Sequence, residues 1–511
     1  MGSPATFVFA SFFASLLLAT LYTGMIFCCA RLGTYLYFCQ NQKPMFVKQL
    51  YTNCLSEAAY FIESNGIAAV IDPLRDIDAY IDLAKERNAT IKYIFETHFH
   101  ADFVSGHLDL AAATGATIVY GPDTTTNFPV HIAKDGEVFE IGALQIKAIH
   151  TPGHTLESTC YLLSDEKSEP YCLFTGDTLF VGDVGRPDLF SGNLGKEELA
   201  AMLFDSLNNK IKTLPDHVIV YPAHGPGSSC GKNLGPNTSS TIGEQKESNY
   251  ALLAEDKAAF ILEVTSGLST PPQYFPINAK INREGYGALD EIIRKGMTAL
   301  EAADVKEKVK DGAILLDTRN ANEFVEGFIP GSISIGLEGR FAEWAGSLLS
   351  FKDPVVLVTP EGREEETIVR LARVGFENVI GYVKGGYEAW KTAGNQIDMI
   401  ITVEADELAM DIPHDQNLVI VDVRKPSEYE SGHIKGAINI SLNEMTDPGS
   451  MADLDENQNL YVHCQGGYRS VIACSMLKRQ GIHNLRNVGG GFAIMKDTKG
   501  LEVVQEKNVL N

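Results

Sequence analysis

A long internal repeat in the last two hundred residues most restricts what this chain can fold into. Residues 313–335 (AILLDTRNANEFVEGFIPGSISI) align with residues 418–440 (LVIVDVRKPSEYESGHIKGAINI). The identical positions include Asp317 and Asp422, Arg319 and Arg424, Glu323 and Glu428, Gly327 and Gly432, and Gly331 and Gly436. Both stretches continue through a strand-like run, a loop, a helical run and a glycine pair. The repeat therefore predicts two copies of one α/β domain, each of about 100 residues.

The loop after the second strand distinguishes the two copies. The second copy has VHCQGGYRS, in which Cys464 is followed by Gln465, Gly466, Gly467 and Tyr468 and then by Arg469. Glycines before a helix let backbone N–H groups converge on an anion, which favours a thiolate and stabilises a persulfide on it. We therefore predict Cys464 as a catalytic sulfur acceptor, with Arg469 adding a positive charge. The first copy has TPEGREEE, and alignment places Pro360 opposite Cys464.

The length of 511 residues predicts about three domains. We place them at residues 45–290, 297–396 and 402–508, after a hydrophobic segment at 1–44. Residues 6–30 carry no charge and are long enough to cross a bilayer, and the basic residues that follow would leave the body of the protein in the cytoplasm. Met45 also opens a natural soluble domain, so an over-long gene start remains an alternative to a membrane anchor.

The overall charge excludes one class of partner. A net charge of −24 repels phosphate backbones, so we expect no nucleic acid partner. The nine cysteines include no CxxC pair, which predicts free thiols and a reducing compartment. We therefore expect a cytoplasmic protein, with or without a tether to the inner face of the membrane through residues 6–30. A homo-oligomer is compatible with the sequence.

Metal-binding residue types follow several predicted strands between residues 45 and 245. THFHAD contains His98, His100 and Asp102; HTPGHT contains His154; TGDT contains Asp177; and YPAH contains His224. Imidazoles and carboxylates on converging loop tips are what a catalytic metal site needs. The position after Asp102, where a further histidine would complete a second metal site, is Phe103.

These motifs, in this order, resemble the metallo-β-lactamase superfamily, which implies an αββα sandwich. The FTGDTLF and GRPDLF segments resemble the persulfide dioxygenase branch, which implies one Fe(II) per chain held by His98, His154 and Asp177, with Zn as the alternative metal. The same resemblance makes His100, Asp102 and His224 residues that orient ligands or water, or alternative ligands. Arg186 would either pair with Asp188 or contact the carboxylates of a glutathione-like substrate.

The CxxxxR loop, together with DVR and SGHIKGA, resembles the rhodanese family, although a phosphatase loop shares the cysteine and the arginine. The complete order resembles the bacterial fused persulfide dioxygenase–sulfurtransferases, with the first rhodanese-like copy inactive. The implied substrates are O₂ and a small thiol persulfide, the implied products sulfite and thiosulfate. Two alternatives stay open: a glyoxalase-II-like zinc thioester hydrolase, and a non-catalytic sulfur-binding scaffold.

Overall fold

The structure is a computed structural model that describes residues 45–189, 194–268, 270–452 and 454–505. The expectations for residues 1–44 lie outside the described residues. Among the residues described, none of the helices combines the length and apolar character that crossing a bilayer requires.

The first domain contains two six-stranded sheets. The first sheet runs in chain order through β1 (Phe46–Thr52), β2 (Glu57–Ser64), β3 (Ile67–Ile71), β4 (Thr90–Phe95), β5 (Thr117–Tyr120) and β6 (His131–Ile132). The second sheet comprises β7 (Val138–Ile141), β8 (Leu144–His150), β9 (Thr159–Ser164), β10 (Pro170–Gly176), β11 (Ile219–Pro222) and β12 (Ser240–Thr241). Its neighbouring strands are antiparallel except β10 and β11, which are parallel.

Helices cover both outer faces of this pair of sheets. They are α1 (Asp78–Arg87), α2 (His107–Thr114), α3 (Lys196–Ser206), a π-helical turn (Leu207–Ile211), α4 (Ile242–Ser248) and α5 (Lys257–Thr265). Two further helices, α6 (Phe275–Glu284) and α7 (Leu289–Gly296), lead to the first repeat, where a Cβ on Gly296 would meet Ile368 and Val379. Between the sheets lies an apolar core that includes Tyr60, Phe95, Tyr161 and Phe174. Separate apolar clusters join α1 and α2 to the first sheet and α3 and α5 to the second. This is the αββα sandwich expected from the sequence.

Each repeat forms a parallel five-stranded sheet with helices around it. The first copy contains β13 (Ala299–Leu300), α8 (Ala302–Lys310), β14 (Ile314–Asp317), α9 (Ala321–Glu326), β15 (Ile333–Ser334), α10 (Phe341–Leu348), β16 (Val355–Val358), α11 (Glu364–Ala372), β17 (Val379–Val383) and α12 (Gly386–Thr392). Its strand order is β13-β17-β16-β14-β15.

The second copy contains β18 (Ile401–Val403), α13 (Ala405–Asp411), β19 (Leu418–Asp422), α14 (Pro426–Ser431), β20 (His433–Ile434), β21 (Ile438–Asn439), 3₁₀ turns at Leu442–Thr446 and Pro448–Met451, β22 (Asn459–His463), α15 (Tyr468–Arg479), β23 (Leu485–Val488), α16 (Gly491–Met495) and β24 (Val503–Val504). The order β18-β23-β22-β19-β21 is the equivalent of the first copy, and β20 pairs with β24.

The strand register corrects the alignment of the two sulfur-loop positions. In the first copy Asp317 pairs with Val358, and in the second Asp422 pairs with His463. The residue after Val358 is Thr359, so Thr359 and not Pro360 is the structural counterpart of Cys464. The following glycine turn agrees, because a Cβ on Gly386 would meet the carbonyl oxygen of Thr359, as one on Gly491 would meet that of Cys464. The sequence alignment placed Pro360 opposite Cys464, and the strand register shows that this alignment is wrong by one residue.

The first repeat packs directly against the lactamase-like domain. Arg373 forms a two-pronged ion pair with Asp76, and its carbonyl oxygen accepts from Val104 N at 2.7 Å. The buried Arg75 reaches the carbonyl oxygen of Ala372 and the carboxylate of Glu377. Phe103 belongs to the apolar core that is continuous with the first repeat. This interface therefore lies beside the loop that carries His98 to Asp102.

Candidate metal centre and cysteine loop

The predicted metal-binding side chains all follow strand ends. His98 lies just beyond β4, His154 beyond β8, Asp177 directly after β10, and His224 directly beyond β11. Gly176 lets the turn that carries Asp177 approach the first sheet closely. Its φ is 52°, and a Cβ there would meet Thr97 Oγ1 at 2.5 Å. A larger residue at this position would push Asp177 away from the histidines.

The three predicted principal ligands form one cluster. One ligand atom from each of His98, His154 and Asp177 lies within 4.8 Å of the other two. Asp177 Oδ2 is 3.4 Å from His154 Nε2 and 3.8 Å from His98 Nε2. Metal–ligand bonds of about 2.0–2.2 Å would span such separations.

The hydrogen bonds behind the histidines determine which ring nitrogen faces the cluster. His154 Nδ1 lies 2.8 Å from the carbonyl oxygen of Arg186, and a carbonyl can only accept, so Nδ1 carries the proton. Thr97 Oγ1 donates its hydrogen to Asp72 Oδ2, and therefore accepts from His98 Nδ1 at 3.0 Å. Both Nε2 lone pairs are consequently available to a metal ion.

The charge state of the cluster also suits a metal. Burial, followed by the neighbouring histidines, lowers the pKa of His98 well below its usual value, which keeps the imidazole neutral. Asp177 is buried, and neither of its carboxylate oxygens accepts a hydrogen bond of normal geometry from the described residues. An uncompensated buried carboxylate is costly, and a bound cation would remove that cost. Two neutral imidazoles and this carboxylate therefore fit a divalent metal ion.

A second group adjoins the first. His224 Nε2 lies 3.5 Å from Asp177 Oδ1 and 3.4 Å from Asp102 Oδ2, and the Cys230 thiol completes a group whose ligand atoms are within 4.8 Å of one another. Burial, with the nearby Asp102 and Asp177, raises the pKa of Cys230 well above its usual value. Sequence reasoning missed Cys230, because no motif surrounds it.

His100 does not join either group. Its Nε2 lies 3.0 Å from Asp72 Oδ1 and 3.6 Å from Glu96 Oε2, and these three residues form a third buried group whose ligand atoms lie within 4.8 Å of one another. Burial disfavours the charged ring, but Asp72 and Glu96 outweigh it and raise the pKa of His100 to about 9. In this arrangement the side chain of His100 supports the loop that carries His98.

Two other residues hold the loops of the cluster. The side chain of Arg186 pairs with Asp188 through Nε at 3.0 Å and Nη2 at 2.8 Å, the first of the two roles considered for it. Asn282 on α6 donates to the carbonyl oxygens of His100 and Phe103 at 2.8 Å each. The spacing of Asn282 from the histidine motif is too long for sequence reasoning to connect them.

The predicted sulfur acceptor lies at the N-terminus of a helix. Cys464 is 1% exposed, directly after β22, and its Sγ accepts from Gly467 N at 3.1 Å. Gly467 has a φ of 102°, a conformation that glycine adopts without strain and that turns its N–H toward the sulfur. Gln465, Gly466 and Tyr468 complete the loop before α15.

Arg469 has a partner that the sequence did not indicate. Its Nη1 and Nη2 donate to the two carboxylate oxygens of Glu428 at 2.7 and 2.9 Å. The pair lies beside the cysteine loop, so a guanidinium held in fixed orientation borders the sulfur site.

Comparisons with known proteins agree with this architecture. The family model described as the metallo-beta-lactamase superfamily matches residues 52–224, and the rhodanese-like domain model matches residues 301–393 and 404–497. A metallo-beta-lactamase structure from Staphylococcus aureus is 34% identical, covers 66% of this chain and 98% of its own, and has a TM-score of 0.59. ETHE1 from Myxococcus xanthus is 30% identical over 47% of this chain and 98% of its own, with a TM-score of 0.41.

A curated relative is similar to about a third of the chain. A probable hydroxyacylglutathione hydrolase of Schizosaccharomyces pombe is 34% identical over 166 residues, 32% of this chain. The matched part spans 60% of that relative's length. With the sandwich, the His and Asp cluster and the two repeats described above, the chain belongs to the metallo-β-lactamase superfamily and carries two rhodanese-like domains after its lactamase-like domain.

Proposed function

We propose that the chain is a non-haem iron persulfide dioxygenase fused to a sulfurtransferase. The observation that carries the proposal is the presence, in one chain, of a two-histidine, one-carboxylate cluster and a cysteine held at a helix N-terminus by a backbone N–H. Two histidines and one carboxylate leave coordination positions open for both a substrate and O₂. A thiolate stabilised by a backbone N–H is suited to carry a sulfane sulfur.

His98, His154 and Asp177 would hold Fe(II), which supplies the redox chemistry by which O₂ oxidises a sulfane sulfur. The chain's own contribution is to keep both imidazoles neutral, to aim their Nε2 atoms inward through Thr97 and the Arg186 carbonyl, and to exclude water by burial. The balanced reaction takes a thiol persulfide R–S–SH, O₂ and water to R–SH, sulfite and two protons.

Cys464 would carry the second step. A persulfide on its Sγ loses its outer sulfur to sulfite, so that the S–S bond to the protein breaks and a new S–S bond forms in thiosulfate. The electron pair of the broken bond stays on Cys464, whose thiolate is stabilised by the N–H of Gly467. Low-molecular-weight persulfides such as glutathione persulfide are the substrate class that connects the two sites.

A glyoxalase-II-like thioester hydrolase is the second candidate, because the curated relative carries that class of activity in its printed name. It needs a metal that activates water, usually zinc, and commonly a second ion. The buried phenyl ring of Phe103 occupies the position of one second-site ligand, which weakens this alternative. Sulfur transfer would also have no evident role in thioester cleavage.

Metal analysis combined with O₂ uptake tests the proposal. Protein purified without added metal should contain about one iron per chain and should consume O₂ when glutathione persulfide is supplied. His154→Ala should lose iron and O₂ uptake while sulfur transfer from thiosulfate to cyanide continues. His131→Ala, at an exposed histidine of β6, is the matched control and should change neither. Zinc in place of iron, with cleavage of a glutathione thioester, would establish the hydrolase instead.

A further inference from the structure

A short segment of the first rhodanese-like copy contacts both of the other domains. The segment comprises residues 336–340 (GLEGR) and is called the bridging segment below. At one end, the carbonyl oxygen of Gly336 accepts from Tyr468 OH at 3.0 Å, within the loop that carries Cys464. At the other end, Arg340 Nη2 donates to the carbonyl oxygen of Gly227 at 2.8 Å. The cysteine-less copy therefore lies between the two candidate active sites.

Gly227 places Arg340 beside the metal centre. It belongs to the loop that leads from His224 to Cys230, two of the three residues that form the group next to Asp177. Helix α10, which begins directly after Arg340, packs on the ring of Tyr274, where a Cβ on Gly346 would approach within 2.8 Å. Burial raises the pKa of Tyr274, and the charges of Glu343, Asp102 and Arg340 all act on it. Arg340 is thus held against the loop that joins His224 to Cys230.

The guanidinium of Arg340 has N–H donors that are not used in hydrogen bonds to the described residues. A guanidinium has five N–H donors, and here Nε contacts Glu343 while Nη2 donates once to Gly227. Nη1 has no acceptor within the described ranges, and the side chain is 39% exposed. An exposed guanidinium edge with unused donors matches the geometry of a carboxylate.

The arginine is particular to the first copy. Leu337 and Leu442 are equivalent, since their backbone N–H groups donate to the equivalent carbonyls of Thr318 and Val423. Three residues further on, the first copy has Arg340 and the second has the buried Met445. In a chain with a net charge of −24, an anionic substrate needs such a local cation.

We propose that Arg340 binds a carboxylate of the thiol carrier at the opening of the metal centre, so that the first rhodanese-like copy forms part of the persulfide substrate site. The inference rests on the proposed function, because it assumes that a carrier-bound persulfide is the substrate. It assigns the carrier to the class of thiols that bear a carboxylate. The copy without a cysteine then acts in substrate recognition instead of sulfur transfer.

The test compares two persulfides that differ in charge. Wild type and Arg340→Gln are assayed for O₂ uptake with glutathione persulfide, which carries carboxylates, and with 2-mercaptoethanol persulfide, which carries none. The variant should raise the KM for glutathione persulfide about tenfold and leave kcat within about twofold. The KM for the uncharged persulfide should stay within about twofold. Arg340→Lys, which keeps the charge but not the planar fork, should lie between the two.

Three further measurements separate the explanations. Arg294→Gln, at an exposed arginine of α7, is the matched control and should behave as wild type. Iron content should be unchanged in Arg340→Gln, and thermal stability should fall only by the loss of the ion pair with Glu343, a loss that acts on both persulfides alike. Equal changes in both KM values, or in neither, would overturn the proposal. If the wild type consumes no O₂ with any persulfide, the proposed function fails. Calorimetric binding of glutathione then decides the inference alone, since an unaltered Kd, or no binding, would refute it.

Discussion

The two rhodanese-like copies have the same internal scaffold and different side chains around the loop that carries the cysteine in the second copy. In both, an arginine two residues after the central strand pairs with the strand's last aspartate: Arg319 with Asp317, and Arg424 with Asp422, each at 2.6 Å. Both arginines also donate to the equivalent glycine carbonyl, at 2.9 and 2.7 Å. These buried ion pairs and hydrogen bonds stabilise the same turn in each copy, although only one copy has a cysteine in its loop.

The difference lies on the other side of the loop. By the strand register, Thr359 in the first copy is the counterpart of Cys464, and Glu364 lies at the start of the helix that follows. Glu364 accepts a hydrogen bond from Thr359 at 3.2 Å, whereas Arg469 is held by Glu428. The first copy still has a cleft of about 770 Å³ here, with Glu323, Glu361 and Glu364 among its lining residues. The scaffold is thus kept in a copy whose loop lacks the cysteine and whose cleft is lined by several acidic side chains.

The largest expected effect comes from removing the sulfur atom that distinguishes the copies. Cys464→Ala should lower thiosulfate formation at least about 10³-fold, because no other group in the loop can accept a sulfane sulfur. O₂ uptake should stay within about twofold of wild type, since the metal cluster is in another domain. Thr359→Ala, the same change at the equivalent position of the first copy, is the control and should alter neither rate.

Loss of both activities in Cys464→Ala would contradict this division of labour. It would mean that oxidation also passes through the second copy. Thiosulfate production and O₂ consumption measured in the same reaction distinguish these outcomes.

A second prediction tests whether the absence of a cysteine is enough to explain why we expect no sulfur transfer by the first copy. Thr359→Cys, made in the Cys464→Ala background, should stay at least about 100-fold below wild-type transfer. The adjacent Glu364 disfavours a thiolate and repels anionic sulfite. Adding Glu364→Arg should raise the rate of that variant about tenfold. Transfer is measured with thiosulfate and cyanide; a fully active Thr359→Cys would show that charge is irrelevant.

Much of the fold followed from local patterns in the sequence. The αββα sandwich was expected because the order of the THFHAD, HTPGHT, TGDT and YPAH motifs resembles the metallo-β-lactamase superfamily. The repeat predicted both rhodanese-like domains, since matched aspartates, arginines and glycines occupy equivalent turns. His98, His154 and Asp177 were grouped because the motifs that contain them resemble those of the persulfide dioxygenase branch.

The remaining features depend on contacts between distant segments. Cys230 reaches the centre through a loop without a motif, and Asn282 supports the histidine loop from α6. The pairing of Thr359 with Cys464 required the register of two sheets, which a one-residue shift in an alignment conceals. The bridging segment could not be predicted, because its contacts exist only once three domains are assembled.

The smallest effect is expected at Arg469, because this residue contributes a charge beside the loop and not the reacting sulfur atom. Arg469→Gln removes the cation and leaves the carboxylate of Glu428 unpaired beside the cysteine loop. Transfer to sulfite should fall about tenfold in kcat/KM, the size expected for losing one oriented charge at a partly buried site. The wild-type rate should also decline with ionic strength more steeply than that of the variant. Arg479→Gln, at the far end of the same helix α15, should keep both the rate and its salt dependence. An Arg469→Gln rate equal to wild type would mean that the Gly467 N–H suffices to hold the sulfur, and that the ion pair of Arg469 with Glu428 is without consequence for transfer.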